Sequence, residues 1–355
     1  MNILYGVPGE GLGHATRSKV IIGHLLAQGH DVQVVSSSRA YQLLAANFPG
    51  RVREIRGFHL AYKHLTVSKS QTAALTLRAA PESLRLNFQR YHDLLRNCCR
   101  FDLVISDFES FSYFFAKTQR LPVISIDNMQ IISRARLDVT VPRTERGNLQ
   151  LARSIVRAKL PRSRHYLVTT FFRPPLARPA TTLVPPIIRP EIVARKPTRG
   201  RHVLVYQSST NQADLVSQLQ QLPQQEFRVY GFNRAEDHGN VQLRPFSEEG
   251  FIADLASARA VVTNGGFSLI SEAIYLRKPV CAIPIPAQFE QWLNAAQVEQ
   301  QGYGRHFPAL TPDNLKAFLY DLNPFEQALG EYQQQGNEEL FEALDVLLKE
   351  IGRGA

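Results

Sequence analysis

The 355 residues carry 41 Lys and Arg against 31 Asp and Glu, a formal charge of +10, and 44% of them are hydrophobic. This is the balance of an ordinary globular enzyme, and no window of about 18 apolar residues is present to span a bilayer. Three cysteines, two of them adjacent at Cys98 and Cys99, form neither a disulfide framework nor a zinc pattern and predict a reducing cytoplasmic setting.

The length predicts two domains, each large enough for its own core. Charge is distributed unevenly between them. Residues 1–190 hold 27 of the 41 basic residues and 11 of the 31 acids, leaving 14 against 20 in the remainder. A basic front half fits an anionic membrane surface, a phosphorylated acceptor or a nucleic acid, or simply a solvated face.

Met1–Val7 reads as a buried strand, without the basic and apolar regions of a signal peptide. It leads into GVPGEGLGHATRS (6–18), where Gly9, Gly11 and Gly13 permit close backbone approach to a ligand on the N-terminus of a helix over Ala15–Gln28. The dinucleotide fingerprint would need glycine at position 14, where His14 stands, so a nicotinamide or flavin cofactor is set aside. At the carboxyl edge of a parallel sheet, His14 is placed either to deprotonate a hydroxyl or to contact a phosphate.

Further strands are predicted at Asp31–Ser36, Phe101–Ser106 and Val123–Asp127, with a long basic helix over Arg78–Cys99. The strand ending in Asp107 projects a carboxylate toward the same edge as His14. There it orients the imidazole or caps the following helix, with Glu109 and Asp127 as nearby alternatives.

Eight prolines between Leu160 and Pro197 mark a boundary, after which the strand pattern restarts. Strands are predicted at His202–Gln207, Phe227–Tyr230, Val241–Arg244 and Ala260–Thr263, and helices at Asn211–Gln220 and Phe251–Ala256. The run Ser208, Ser209, Thr210 sits in the first strand-to-helix turn of this second series, placed for a phosphate or for capping. Phe246 either stacks on a base or lies in the core. The stretch 261–304 is the richest: Asn264, Gly265 and Gly266 turn into a helix carrying Ser268 and Glu272, an arrangement suited to a diphosphate and a ribose. The cluster Gln288, Glu290, Gln291, Asn294 supplies the mixed donors and acceptors a sugar requires. The tail, Asn314–Ile351, is helical throughout.

In this order the motifs resemble the inverting GT-B glycosyltransferases, in particular proteins related to the lipid II N-acetylglucosaminyltransferase and the UDP-glucuronosyltransferase-like enzymes. GEGLGHATRS, the strand-end ISD (105–107), NGGFSLISEA (264–273) and E-Q-x-x-N-A (290–295) carry the resemblance, which covers nearly the whole chain. It implies an α/β fold of two Rossmann-like domains facing across a cleft. These are an acceptor domain over 1–185, a nucleotide-sugar domain over 186–323, and C-terminal helices over 324–355 returning to the first.

By resemblance, His14 is the base and Asp107 its orienting acid, while Gly265, Gly266 and Ser268 form the diphosphate turn. Glu272 is the ribose acid, Phe246 lies at the base-reading loop, and Glu290 and Gln291 contact donor-sugar hydroxyls. NGG replaces the plant-type H-x-G, removing an imidazole from the diphosphate contact.

The reading is an inverting glycosyltransferase using a nucleotide-sugar, with UDP the expected nucleotide. The acceptor hydroxyl is lipid-linked or anionic, and the enzyme sits in the cytoplasm or peripherally on an anionic membrane. No D-x-D triplet occurs, so metal-independent transfer is expected, with no metal ligand and no cofactor beyond the co-substrate. A UDP-sugar 2-epimerase is the alternative of similar fold. A nucleic-acid-binding protein is disfavoured, because no basic-aromatic recognition motif is present.

Overall fold

The computed structural model describes residues 1–9, 11–57, 62–63, 66–67, 82, 84–96, 100–207 and 212–353. The first series of elements is β1 (Asn2–Gly6), α1 (Leu12–Ala27), β2 (Asp31–Ser36), α2 (Ser38–Asn47) and β3 (Val52–Glu54). A small antiparallel pair, β4 (Tyr62–Lys63) and β5 (Thr66–Val67), follows, and then helix α3 over residues 84–96. The chain continues through β6 (Leu103–Ser106), α4 (Ser110–Thr118), β7 (Val123–Asp127), α5 (Ile131–Arg134), α6 (Arg146–Lys159), β8 (His165–Thr169) and β9 (Thr181–Val184).

These strands form one parallel sheet in the order β3-β2-β1-β6-β7-β8-β9. β6 and β7 are buried at every residue, because helices cover both faces. Their sequences, LVIS and VISID, therefore run apolar without strict alternation, as buried parallel strands do.

The second series starts with α7 (Pro190–Val193) and β10 (His202–Tyr206) and repeats the plan. It comprises α8 (Gln212–Gln220), β11 (Glu226–Tyr230), β12 (Glu236–Asp237), β13 (Val241–Leu243), α9 (Glu248–Ser257), β14 (Ala260–Thr263), α10 (Phe267–Tyr275), β15 (Val280–Ala282), α11 (Phe289–Gln300) and β16 (Gly304–His306). Its sheet order is β12-β13-β11-β10-β14-β15-β16, parallel except for the edge strand β12. In each sheet the order reverses beside the first strand, at β1 between β2 and β6 and at β10 between β11 and β14. Ligands of doubly wound sheets bind at such switch points.

Most predicted strands match closely, and Asp31–Ser36, Val123–Asp127 and Ala260–Thr263 match end to end. One difference has a clear cause. The proline-rich stretch 160–197 contains two strands, β8 and β9, because its prolines fall outside both strands. The long helix expected over 78–99 is described only over 84–96.

Three closing helices, α12 (Pro312–Tyr320), α13 (Asn323–Gly330) and α14 (Glu338–Arg353), end the chain. α14 lays Leu340, Leu344 and Leu348, spaced one turn apart, into the core formed by α1 and the first sheet. Its polar side joins α1 through His24, which stacks on Phe341 at 4.0 Å and meets Asp345 at 2.9 Å. Just before α14, the Asn337 side chain accepts from the Ile188 N–H at 2.8 Å and donates to the Ile188 carbonyl at 2.7 Å. The halves also share apolar packing, with Phe171 stacked on Phe267 within one continuous cluster.

Leu344 is fully buried in this seam. L344A is expected to lose about 2–5 kcal/mol of unfolding free energy, measured by guanidinium titration.

Candidate active site

Asp107 follows β6 and extends its pairing, donating its N–H to the Gly6 carbonyl at 2.9 Å. The chain then turns through Phe108, whose φ of 59° lies in the left-handed region. α4 is capped by Glu109, which accepts from the N–H groups of Phe111 at 2.6 Å and Ser112 at 2.7 Å. Capping is thus done by the neighbour, and Asp107 turns inward with 1% of its surface exposed.

Its carboxylate accepts from Arg17 Nε at 2.9 Å, from Arg17 Nη2 and from the Ser18 hydroxyl at 3.1 Å. His14 Nδ1 stands 3.1 Å from the same carboxylate, with the ring about a quarter exposed. Burial opposes ionisation of Asp107, but the charge of the Arg17 guanidinium beside it outweighs that cost and holds the carboxyl well below the usual range.

Arg17 was not singled out by any motif, yet it is 6% exposed and sits at the centre of the site. Its Nη2 lies 2.7 Å from His14 Nδ1, and its Nη1 donates to Asn128 Oδ1 at 2.7 Å. Asn128 in turn donates to Glu290 Oε1 at 2.6 Å, which brings a residue of α11 in the second half onto the network. The available signals were modest: an arginine one turn beyond His14, and an asparagine just after a strand. Asp127 beside it is buried and accepts from the Ser125 hydroxyl at 2.5 Å and the Gln130 N–H at 2.9 Å. Burial, together with the charge of Asp107, pushes its carboxyl up to about 6.

On the opposite side, β14 ends in Asn264 and the chain enters α10 through two glycines. Gly265 has φ of 85°, and a Cβ there would lie 2.8 Å from the Gln291 carbonyl, so the turn admits only glycine. Asn294 donates to the Gly265 carbonyl at 3.0 Å and fixes the turn from α11. Asn264 donates to Gln207 at 2.8 Å, while its buried Oδ1 has no hydrogen-bond partner among the described residues.

Gly266 caps α10 without a side chain, just as Gly11, at φ of 77°, caps α1. These two helix starts meet: a Cβ on Gly13 would lie 2.7 Å from Ser268 Oγ. N–H groups of both first turns lack intrahelical partners, an arrangement that favours an anion.

The remaining candidate residues of the second half have partners of their own. Glu272 is buried against the linker residue Arg189, with Nε to Oε1 at 2.6 Å and Nη2 to Oε2 at 2.8 Å, and Arg189 also reaches Glu248 at 3.0 Å. Gln291 spends its amide oxygen on the Ile285 N–H at 2.9 Å. Phe246 is 55% exposed, outside the core, with its N–H on Asn233 Oδ1 at 2.9 Å. Ser208, Ser209 and Thr210 lie outside the described residues. The structure therefore joins His14, Asp107 and Glu290 in one network and brings Gly13 onto Ser268.

The model for glycosyl transferase family 1 matches residues 1–323. An uncharacterized glycosyltransferase of Methanosarcina mazei is 25% identical over 360 residues, covering 88% of this chain and 87% of that one. A UDP-N-acetylglucosamine–N-acetylmuramyl-(pentapeptide) pyrophosphoryl-undecaprenol N-acetylglucosamine transferase of Methylorubrum extorquens is 35% identical over 88 residues. That match covers 24% of this chain, which spans about a quarter of that relative's length (24%). Among solved structures, a UDP-glucosyltransferase from Polygonum tinctorium superposes with a TM-score of 0.68 at 14% identity, covering 98% of each chain.

Asp127 provides a pH test. With its folded pKa near 6, above the unfolded value of 3.8, the folded state holds more protons between these values. Stability therefore declines as pH rises from about 4 to about 6 and levels off above, a change of about 3 kcal/mol. D127N is expected to flatten that slope in urea titrations between pH 4 and 7.

Proposed function

Because the chain belongs to glycosyl transferase family 1 and has the GT-B fold of two facing Rossmann-like halves, we propose that this glycosyltransferase moves a sugar from a nucleoside diphosphate, UDP foremost, to an acceptor hydroxyl with inversion. The observation that supports this most is the meeting of the α1 and α10 N-termini at Gly13 and Ser268, with His14 on the first of them. The acceptor hydroxyl gives its proton to His14 as its oxygen attacks the anomeric carbon from the face opposite the diphosphate. The C–O bond to the diphosphate breaks, and the charge that develops on the leaving group is held by the N–H groups of the Gly265–Ser268 turn and by Gly11 and Gly13. Ser208–Thr210 adds hydroxyl donors to the phosphates. Glu272 and Phe246 serve the nucleoside, and Glu290 and Gln291 the donor sugar.

The acceptor we assign is lipid-linked or anionic, reached at an anionic membrane surface. No helix among the described residues is long and apolar enough to cross a membrane. Instead, α3, α4 and α6 expose Leu84, Phe88, Phe114, Leu151 and Ile155 and carry the exposed cations Arg85, Arg96, Lys117 and Arg157, and α3 meets α4 through the rings of Tyr91 and Phe114. Apolar side chains flanked by cations suit a negatively charged leaflet, at about 1 kcal/mol per basic residue near the surface.

H14A is expected to lower transfer by about 10²–10⁴-fold while UDP binding, followed by calorimetry, is retained. E272A should do the reverse, weakening UDP about 10–100-fold first. Full turnover by both variants would refute the assignment. Vesicle co-sedimentation at low salt is expected to be stronger with anionic than with neutral lipid and to be reduced in F88E; equal binding to both lipids would remove the membrane from the proposal.

A further inference from the structure

Arg17 makes a demand on His14 that the orienting role of Asp107 contradicts. A guanidinium has only N–H donors and no acceptor. Of the two contacts to His14 Nδ1, the one to Arg17 Nη2 is the shorter, at 2.7 Å against 3.1 Å to Asp107; serving that donor makes Nδ1 an acceptor, and a neutral ring with a free Nδ1 carries its proton on Nε2. For His14 to take a proton at Nε2, the hydrogen must sit on Nδ1 instead and point at Asp107 Oδ1, 3.1 Å away. With that hydrogen in place, Nδ1–H and the Arg17 N–H would face each other as two donors. One nitrogen is claimed by both partners, and the two claims need opposite tautomers.

The same reasoning fixes the next link. Arg17 Nη1 can only donate and the Glu290 carboxylate can only accept, so Asn128 must present its oxygen to the first and its amide nitrogen to the second, as it does at 2.7 and 2.6 Å. Arg17 is thereby tied both to the imidazole and, through one amide, to a carboxylate of the second half.

We infer that Arg17 is the positioning residue that sets the tautomer of His14. In the ligand-free protein it holds the ring with the proton on Nε2, unable to act as a base. The ring becomes competent when Arg17 yields Nδ1 to Asp107, and the Asn128–Glu290 arm couples that exchange to occupation of the donor-sugar side. The change moves no net charge: water takes the proton from Nε2 and supplies one to Nδ1. This inference rests on the reading of His14 as the base, but its first test does not depend on activity.

In protein labelled with 15N-histidine, long-range proton–nitrogen spectra distinguish the two neutral tautomers, and H14Q assigns the His14 signals by difference. Ligand-free wild type is expected to show the Nε2–H pattern. R17K keeps a cation against Asp107 but loses the fork that reaches Nδ1, and is expected to change the pattern to Nδ1–H. Added UDP-N-acetylglucosamine should move the wild type toward Nδ1–H but leave N128A, with its arm cut, unmoved. An Nδ1–H pattern in ligand-free wild type, or a folded R17K indistinguishable from it, overturns the inference. Should R17K fail to fold, the ligand-free wild-type spectrum decides. If the wild-type and R17K tautomers without added nucleotide are as expected but neither UDP-N-acetylglucosamine nor any other nucleotide-sugar binds, the proposed function falls and the hold of Arg17 on the ring stands.

Discussion

The site depends on one buried ion pair. Arg17 and Asp107 are both withdrawn from water, and each would be costly to bury alone, by several kcal/mol even after relaxation. Together they are tolerable because the geometry is complete: two guanidinium N–H groups and a serine hydroxyl on the carboxylate, with the third guanidinium nitrogen on an asparagine. The pair joins α1 to the end of β6, so the glycine-rich turn before α1 is held against the sheet edge despite its conformational freedom. His14 is placed by the same contacts. Removing either charge would therefore disturb the position of the turn as well as the local electrostatics.

A second guanidinium–carboxylate pair stands in the second half. Arg189 grips both oxygens of Glu272 from the segment that joins the two halves. The acid that the family resemblance assigns to a ribose is therefore already engaged from the linker, and a sugar diol reaching those oxygens must share or displace a guanidinium. On the ribose role we propose for Glu272, donor and linker compete for the same oxygens, much as His14 and Glu290 are joined through Arg17 and Asn128. Both arginines reach carboxylates by side chains that leave the donor turn itself to backbone groups.

Much of the fold was legible because buried parallel strands announce themselves as short apolar runs closed by polar residues or glycine; β2, β7 and β14 were readable end to end for that reason. The turn between β14 and α10 was equally legible as a turn, since two glycines between a strand and a helix admit the left-handed backbone found at Gly265. Arg17, Asn128 and Arg189 were not. An arginine on a helix reads as solvated unless its partner is known, and Asp107 lies 90 residues from Arg17, with no spacing rule connecting them. β8 and β9 were hidden by prolines that flank the strands without entering them. The role of Asp107 stayed open between the imidazole and the cap of α4 because an acid after a strand fits either, and only the turn at Phe108, which leaves the cap to Glu109, decides that Asp107 faces inward.

The return of α14 has a mechanical consequence. The polypeptide passes between the halves twice, once before α7 and once before α14, and the two passages are fastened side by side by Asn337 and Ile188. A single tether would let the halves swivel and twist freely, whereas two tethers bound together define a line. Relative motion is thereby reduced to a swing about that line, like a book opening on its spine, with the turns at Gly13 and Ser268 on the facing pages. Cutting one passage would leave the halves attached but would abolish the spine, so that they could still touch without reliably meeting in register.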